Sequence, residues 1–206
     1  MIADVFTALV RLFTGARGHW TGCAPMPGTA QPRVYFANHT SNLDFVVLWS
    51  TLPRAHRTRT RAAAARDYWT ANALRRWIAM RVFNVVLIER KHVTRTNNPV
   101  DQLASVLGAG DSIIIFPEGG RAADTVVGPF KSGLYHLAQR HPEAELVPVY
   151  IENLNRVLPK GEVLAIPLIC TVTYGTPLRL LPGEARDPFL ERARLAVQTL
   201  QTPPLT

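Results

Sequence analysis

Apolar positions along the chain recur with two different periods. Ile2, Val5, Phe6, Leu9, Val10 and Phe13 stand at steps of three, one, three, one and three, the spacing of one helical face, and predict an amphipathic helix over 2–13. Gly15, Gly18, Gly22, Pro25, Pro27 and Gly28 follow and read as an irregular connector. Short apolar runs then alternate with helical patterns. Strands are predicted over 34–37, 59–65, 85–88, 112–116, 145–151 and 169–174, and helices over 41–52, 68–82, 100–107, 130–140 and 188–200. This alternation predicts an α/β fold, a single domain whose mixed, largely parallel sheet is flanked by helices. The chain divides into the N-terminal helix and connector (1–28), the main domain (29–201) and a fraying tail (202–206).

The first helix has two readings, one in a lipid interface and one packed on the core. No stretch reaches the ~18 apolar residues that a membrane span needs. Asp4 and Arg11 interrupt the first apolar stretch and no small-residue cleavage site follows, so it does not read as a signal peptide. Cys23 and Cys170 have neither metal-ligand nor redox spacing and read as reduced thiols. The formal net charge is +8, almost all of it from arginine. It calls for an anionic partner, and the absence of any recognised nucleic-acid motif turns attention to an anionic membrane surface or an acidic substrate. Arg54, Arg57, Arg59, Arg61 and Arg66 form a basic run, either a headgroup dock or a solvated loop. The expected location is the cytoplasm, peripheral on the inner face of the membrane.

Chemistry concentrates at strand ends. Directly after 34–37 comes Asn38-His39-Thr40-Ser41-Asn42-Leu43-Asp44. Ser41 and Asp44 have capping spacing, which puts Asp44 in the first turn, facing back toward His39. A carboxylate there fixes the imidazole tautomer and leaves the second ring nitrogen to take a proton. No protein nucleophile stands beside this pair, so a substrate hydroxyl is the candidate; the bland alternative is a capped helix with a satisfied histidine. At the end of 112–116 stands Phe116-Pro117-Glu118-Gly119-Gly120-Arg121. Two glycines let backbone approach a ligand, Glu118 can accept from hydroxyls and Arg121 offers a planar fork for phosphate. Val85–Arg90 ends in a charge pair, and Val147-Pro148-Val149-Tyr150 reads as structural. Lys131 either reaches a phosphate or merely begins a helix.

In that order, these four stretches resemble the phospholipid/glycerol acyltransferase family, over roughly residues 34–151, and among its members the bacterial enzymes that acylate 1-acyl-glycerol-3-phosphate to phosphatidic acid. The resemblance implies a glycerol-3-phosphate acyltransferase-like fold and a role in phospholipid biosynthesis. It implies that His39 is the general base and Asp44 its orienter, and that Glu118, Gly119 and Arg121, with Arg90 assisting, hold the acceptor. It implies acyl-CoA or acyl carrier protein as donor, a membrane lipid as acceptor, no metal and no further cofactor. Gly120 stands where the family usually has threonine or serine, and the single N-terminal helix is less than the longer membrane-binding segment that many members carry. Two other readings are a different acceptor (glycerol-3-phosphate, another lysophospholipid or a lyso-aminolipid) and a basic membrane-surface module without turnover.

Overall fold

The computed structural model describes residues 2–23, 25, 31–89, 97–122, 126–152 and 170–201. Among these residues seven strands form one sheet in the order β1-β7-β6-β2-β5-β3-β4. They are β1 (Arg17–Trp20), β2 (Arg33–Ala37), β3 (Thr60–Ala65), β4 (Val86–Ile88), β5 (Ser112–Ile115), β6 (Glu145–Glu152) and β7 (Thr171–Tyr174). All neighbours run parallel except β6 and β7. The helices are α1 (Ile2–Thr14), α2 (Asp44–Thr51), α3 (Arg54–Arg57), α4 (Arg66–Trp69), α5 (Ala73–Arg81), α6 (Pro99–Gly108), α7 (Gly133–Arg140) and α8 (Arg186–Gln198).

The middle strand shows why both faces are covered. All five residues of β2 are buried, and Tyr35 and Ala37 join one core while Val34 and Phe36 join the other. A strand buried on both sides reads as continuous apolar sequence rather than alternation. The first core takes residues from α1, α2 and the turn after α5, and the second from α6, α7 and α8. Phe83 organises the first, with edge-on rings from Phe6, Phe45, Trp49 and Trp69 at 5.2, 5.0, 5.1 and 6.4 Å. Deleting such a buried ring typically costs about 3–5 kcal/mol.

Three expectations change. The helix over 68–82 is two helices: the chain turns at Thr70–Asn72, where the Asn72 side chain accepts from Arg75 N at 2.8 Å and starts α5. Asn at an N-cap satisfies an otherwise orphaned helical donor, which the apolar periodicity did not register. A strand, β1, forms inside the stretch read as connector; it lies against β7, a partner remote in sequence. The helix over 130–140 begins at Gly133, because Lys131 N is engaged by the Pro117 carbonyl at 2.8 Å. Pro27, Gly28, Arg90, Ile169 and the tail 202–206 lie outside the described residues.

The first helix divides its apolar stripe. Ala3, Phe6 and Val10 pack on the core, whereas Ile2, Val5, Leu9, Leu12 and Phe13 are exposed, Leu12 by 76%. Arg11 donates twice to the Ser50 carbonyl, at 2.9 and 2.6 Å, and fixes α1 on α2. The predicted face of six is thus split, since the apolar arc is wider than the strip that α2 covers. Among the described residues no helix is long and apolar enough to cross a membrane.

The basic run is tied largely to two carboxylates of the protein itself. Arg57 is buried, donates to Asp4 at 2.9 Å and lies over the Trp49 ring; Arg54 also reaches Asp4, at 3.5 Å. Arg61 and Arg59 approach Asp111 at 2.7 and 3.9 Å. Only Arg66 of the five has no carboxylate partner among the described residues.

Candidate active site

Parallel strands deliver their carboxyl ends to one edge of the sheet, where ligands of α/β folds bind. His39 lies just past β2, Phe116 just past β5 and Glu89 just past β4, and all three line one cavity.

The turn after β2 is held from both sides. Asn38 is buried and clamps the end of β2 to β6, accepting from Ile151 N at 2.8 Å and donating to Ile151 O at 3.1 Å. The Asp44 carboxylate, fully buried, gathers three groups on one oxygen: His39 Nδ1 at 2.7 Å, Thr40 N at 2.7 Å and Ser41 N at 2.9 Å. The expected capping pair is realised in one direction only. Asp44 accepts from Ser41 N, but the Ser41 hydroxyl accepts from Leu43 N at 3.3 Å and Leu43 is the N-cap of α2. With Nδ1–H directed at the carboxylate, Nε2 is left to accept a proton. Phe116 stacks on the imidazole, its centroid 4.4 Å away and its plane tilted 23°, and limits ring rotation.

Glu118 does something the sequence did not signal. One carboxylate oxygen accepts from His39 N at 2.8 Å and the other from Gly128 N at 3.0 Å. It fastens the His39 turn to the loop before α7. A Cβ on Gly128 would come within 2.9 Å of that carboxylate, so the Gly-Pro at 128–129 is the trace this contact leaves in the sequence. The loop is pinned a second time where Ala122 N donates to His39 O at 2.7 Å. Gly119 has a φ of 72°, a conformation that strains any residue with a side chain, and a Cβ there would also push the end of the Lys131 side chain aside. Gly120 is the opposite case, with open space to 4 Å around the point a Cβ would occupy.

Two cavities meet at His39, Ala63 and Phe116. The larger, about 360 Å³, runs between α6 and α7 and is walled by Val100, Leu103, Ile115, Leu134 and Leu137, with Lys131 and Glu89 among its polar residues. The smaller, about 190 Å³, is lined by Asn42, Asp67, Tyr68, Trp69 and Arg121. His39, Asp44, Glu118, Gly119 and Arg121 are therefore brought together, while Arg90 lies outside the described residues. Phe116 and Asn38 belong to the same assembly and were not singled out as site residues, and Lys131, left between a phosphate contact and a helix start, lines the larger cavity. Neither thiol competes as a nucleophile: burial, then the Asp44 charge, pushes Cys170 up to about 12, and burial also raises Cys23. Among the described residues no cluster of three or more metal-ligating side chains occurs.

Residues 25–152 match the family model described as Acyltransferase. The chain is 26% identical over 180 residues to 1-acyl-sn-glycerol-3-phosphate acyltransferase BAT2, chloroplastic, of Brassica napus, covering 84% of this chain and 50% of that protein. It is 29% identical over 156 residues to 1-acyl-sn-glycerol-3-phosphate acyltransferase alpha of Homo sapiens, covering 74% and 52%. The chain thus spans about half the length of these relatives. Among solved structures, the 1-acyl-sn-glycerophosphate (LPA) acyltransferase PlsC of Thermotoga maritima superposes with a TM-score of 0.72 at 18% identity, over 96% of this chain and 76% of that one, and shares the fold.

Proposed function

The chain belongs to the acyltransferase family, and from that premise we infer that it transfers a fatty acyl group from a thioester to the free hydroxyl of 1-acyl-glycerol-3-phosphate, giving phosphatidic acid. The observation that carries this is the place of His39, oriented by Asp44 at the meeting point of an apolar cavity and a polar one that holds Arg121. The relatives named for 1-acyl-sn-glycerol-3-phosphate support the choice of acceptor.

In this reading His39 Nε2 takes the proton of the acceptor hydroxyl as its oxygen attacks the thioester carbonyl. The tetrahedral oxyanion collapses, the C–O bond stays and the C–S bond breaks, and the imidazolium returns its proton to the leaving thiolate. The hydroxyl attacks directly, so no acyl-enzyme forms; the reading calls on no metal and no further cofactor. The acyl chain occupies the larger, apolar cavity, and Arg121 holds the acceptor phosphate in the smaller one. Acyl-CoA or acyl carrier protein serves as donor. Attachment to the membrane is peripheral: the exposed stripe of α1 enters the lipid interface, since each large apolar side chain buried contributes about 1.5–3 kcal/mol before ordering costs.

Thiol release from acyl-CoA, measured against a panel of acceptors, tests the reading. Release stimulated by 1-acyl-glycerol-3-phosphate above glycerol-3-phosphate and other lysophospholipids is expected. Equal release with water alone, or with a different acceptor preferred, refutes it.

A further inference from the structure

The arginines of the Arg54–Arg61 run share two carboxylates, Asp4 and Asp111, whereas the next two helices carry arginines with none among the described residues. Arg66, Arg75, Arg76 and Arg81, all on α4 and α5, are exposed and have no carboxylate partner among the described residues. Large apolar side chains stand between them: Leu74 is 67% exposed, Trp77 47%, Met80 48% and Tyr68 39%. Of the nine residues of α5 only Ala79 is buried. A helix packed for stability alone would not leave a leucine, a tryptophan and a methionine in water at steps of three. Arg75 lies over the Tyr68 ring at 4.7 Å, which joins the two helices into one basic and aromatic surface.

The position of this surface says what it faces. Asp67, Tyr68 and Trp69 form a wall of the cavity that holds Arg121 and His39, so α4 is the rim of the acceptor pocket. Trp69 and Phe6 both lean on Phe83, at 6.4 and 5.2 Å, so α4 shares its layer of the fold with α1 and its exposed apolar stripe. We propose that α4 and α5, Arg66–Arg81, dock the mouth of the acceptor pocket on an anionic bilayer. Leu74, Trp77 and Met80 enter the interface while Arg75, Arg76 and Arg81 engage lipid phosphates. The inference rests on the reading of the acceptor as a membrane lipid, and it removes the need for that lipid to leave the bilayer before it reaches Arg121. A second copy, itself at a net charge of +8, would be repelled by these arginines, and an acidic carrier protein would be drawn by them but would not call for apolar side chains at the rim of a lipid pocket.

Trp77 fluorescence with vesicles of phosphatidylcholine, with and without phosphatidylglycerol, tests this without reference to turnover. Brominated lipid should quench a component of the emission that disappears in Trp77→Phe. Replacing Arg75, Arg76 and Arg81 together by Gln should weaken binding to the anionic vesicles by about 10- to 100-fold. Both variants should keep parental acyl transfer to a short-chain acceptor dispersed as monomers. Absence of Trp77 quenching overturns the proposal, whatever α1 contributes to binding. So does loss of transfer from acyl carrier protein in the Arg variant with vesicle binding intact, which makes the surface a carrier-protein dock. Parental protein that binds vesicles through Trp77 but acylates no lipid acceptor leaves the docking surface standing and refutes the proposed function instead.

Discussion

The two cavities that meet at His39 are built from different materials. The larger is cut into the second core, between Leu103 of α6 and Leu134 and Leu137 of α7, and its walls are side chains that already hold the fold together. The smaller rests on Phe45 and Ala64 of the first core but is rimmed by a one-turn helix and the Arg121 loop, and carries Asp67 and Arg121. A ligand in the first is read by volume and shape, and a ligand in the second by charge and hydrogen bonds. Discrimination by volume is weak, about 1–3 kcal/mol for a methylene, whereas an unmatched polar group in a built site costs far more. The proposed enzyme is therefore expected to be tolerant of acyl chains and strict about its acceptor headgroup.

Substitutions at the shared wall should affect both substrates and show the largest effect. His39→Ala is expected to lower kcat about 10²–10⁴-fold with every donor and acceptor, in a protein whose circular dichroism is unchanged. Asp44→Asn should fall less far, because the imidazole loses its orienter but keeps its nitrogen. Arg121→Lys tests the polar side alone. Loss of a planar fork should raise the acceptor KM about 10-fold and leave the donor KM within twofold, as steady-state kinetics with each substrate varied will show. The mirror experiment is Leu134→Trp, which narrows the apolar cavity. It should shift the ratio of kcat/KM toward short acyl chains by about 10-fold, with a stability cost of about 1–3 kcal/mol by denaturant unfolding. A change in acceptor KM instead would exchange the assignments of the two cavities. Gly120→Thr is expected to have the smallest effect. The space there is open, so the fold should be unaffected and one added hydroxyl should lower the acceptor KM a few-fold, as one hydrogen bond can contribute ~1 kcal/mol.

The legible parts of this molecule were those written in neighbouring residues. His39 and Asp44 are five apart on a turn, and their pairing follows from local geometry; the apolar runs Val34–Ala37 of β2 and Ile113–Ile115 of β5 announced strands of a sheet covered on both faces. Features that depend on remote partners were silent. Nothing in Arg17–Trp20 says strand until β7 is placed beside it. Arg57 and Arg61 read as surface charge until Asp4 and Asp111 arrive from other elements. Glu118 offered a carboxylate to a ligand in the sequence, yet in the structure it accepts from two backbone amides at 2.8 and 3.0 Å. Charged residues are ambiguous in this way because the same side chain serves a ligand or an internal donor, and only proximity decides.

The edge of the sheet also sets an order of events during synthesis. Among the described residues β1 pairs only with β7, Arg17 opposite Thr171 through Trp20 opposite Tyr174. A ribosome adding about 5–20 residues per second needs on the order of 10–30 s to travel from one to the other. Through that interval α1 can already seat on α2 by way of Arg11 and the Ser50 carbonyl, while the strand that follows it waits unpaired. Of the seven described strands the earliest in the sequence is thus the last to be paired, and pausing of translation before Thr171 would prolong the time for which the chain presents an open edge.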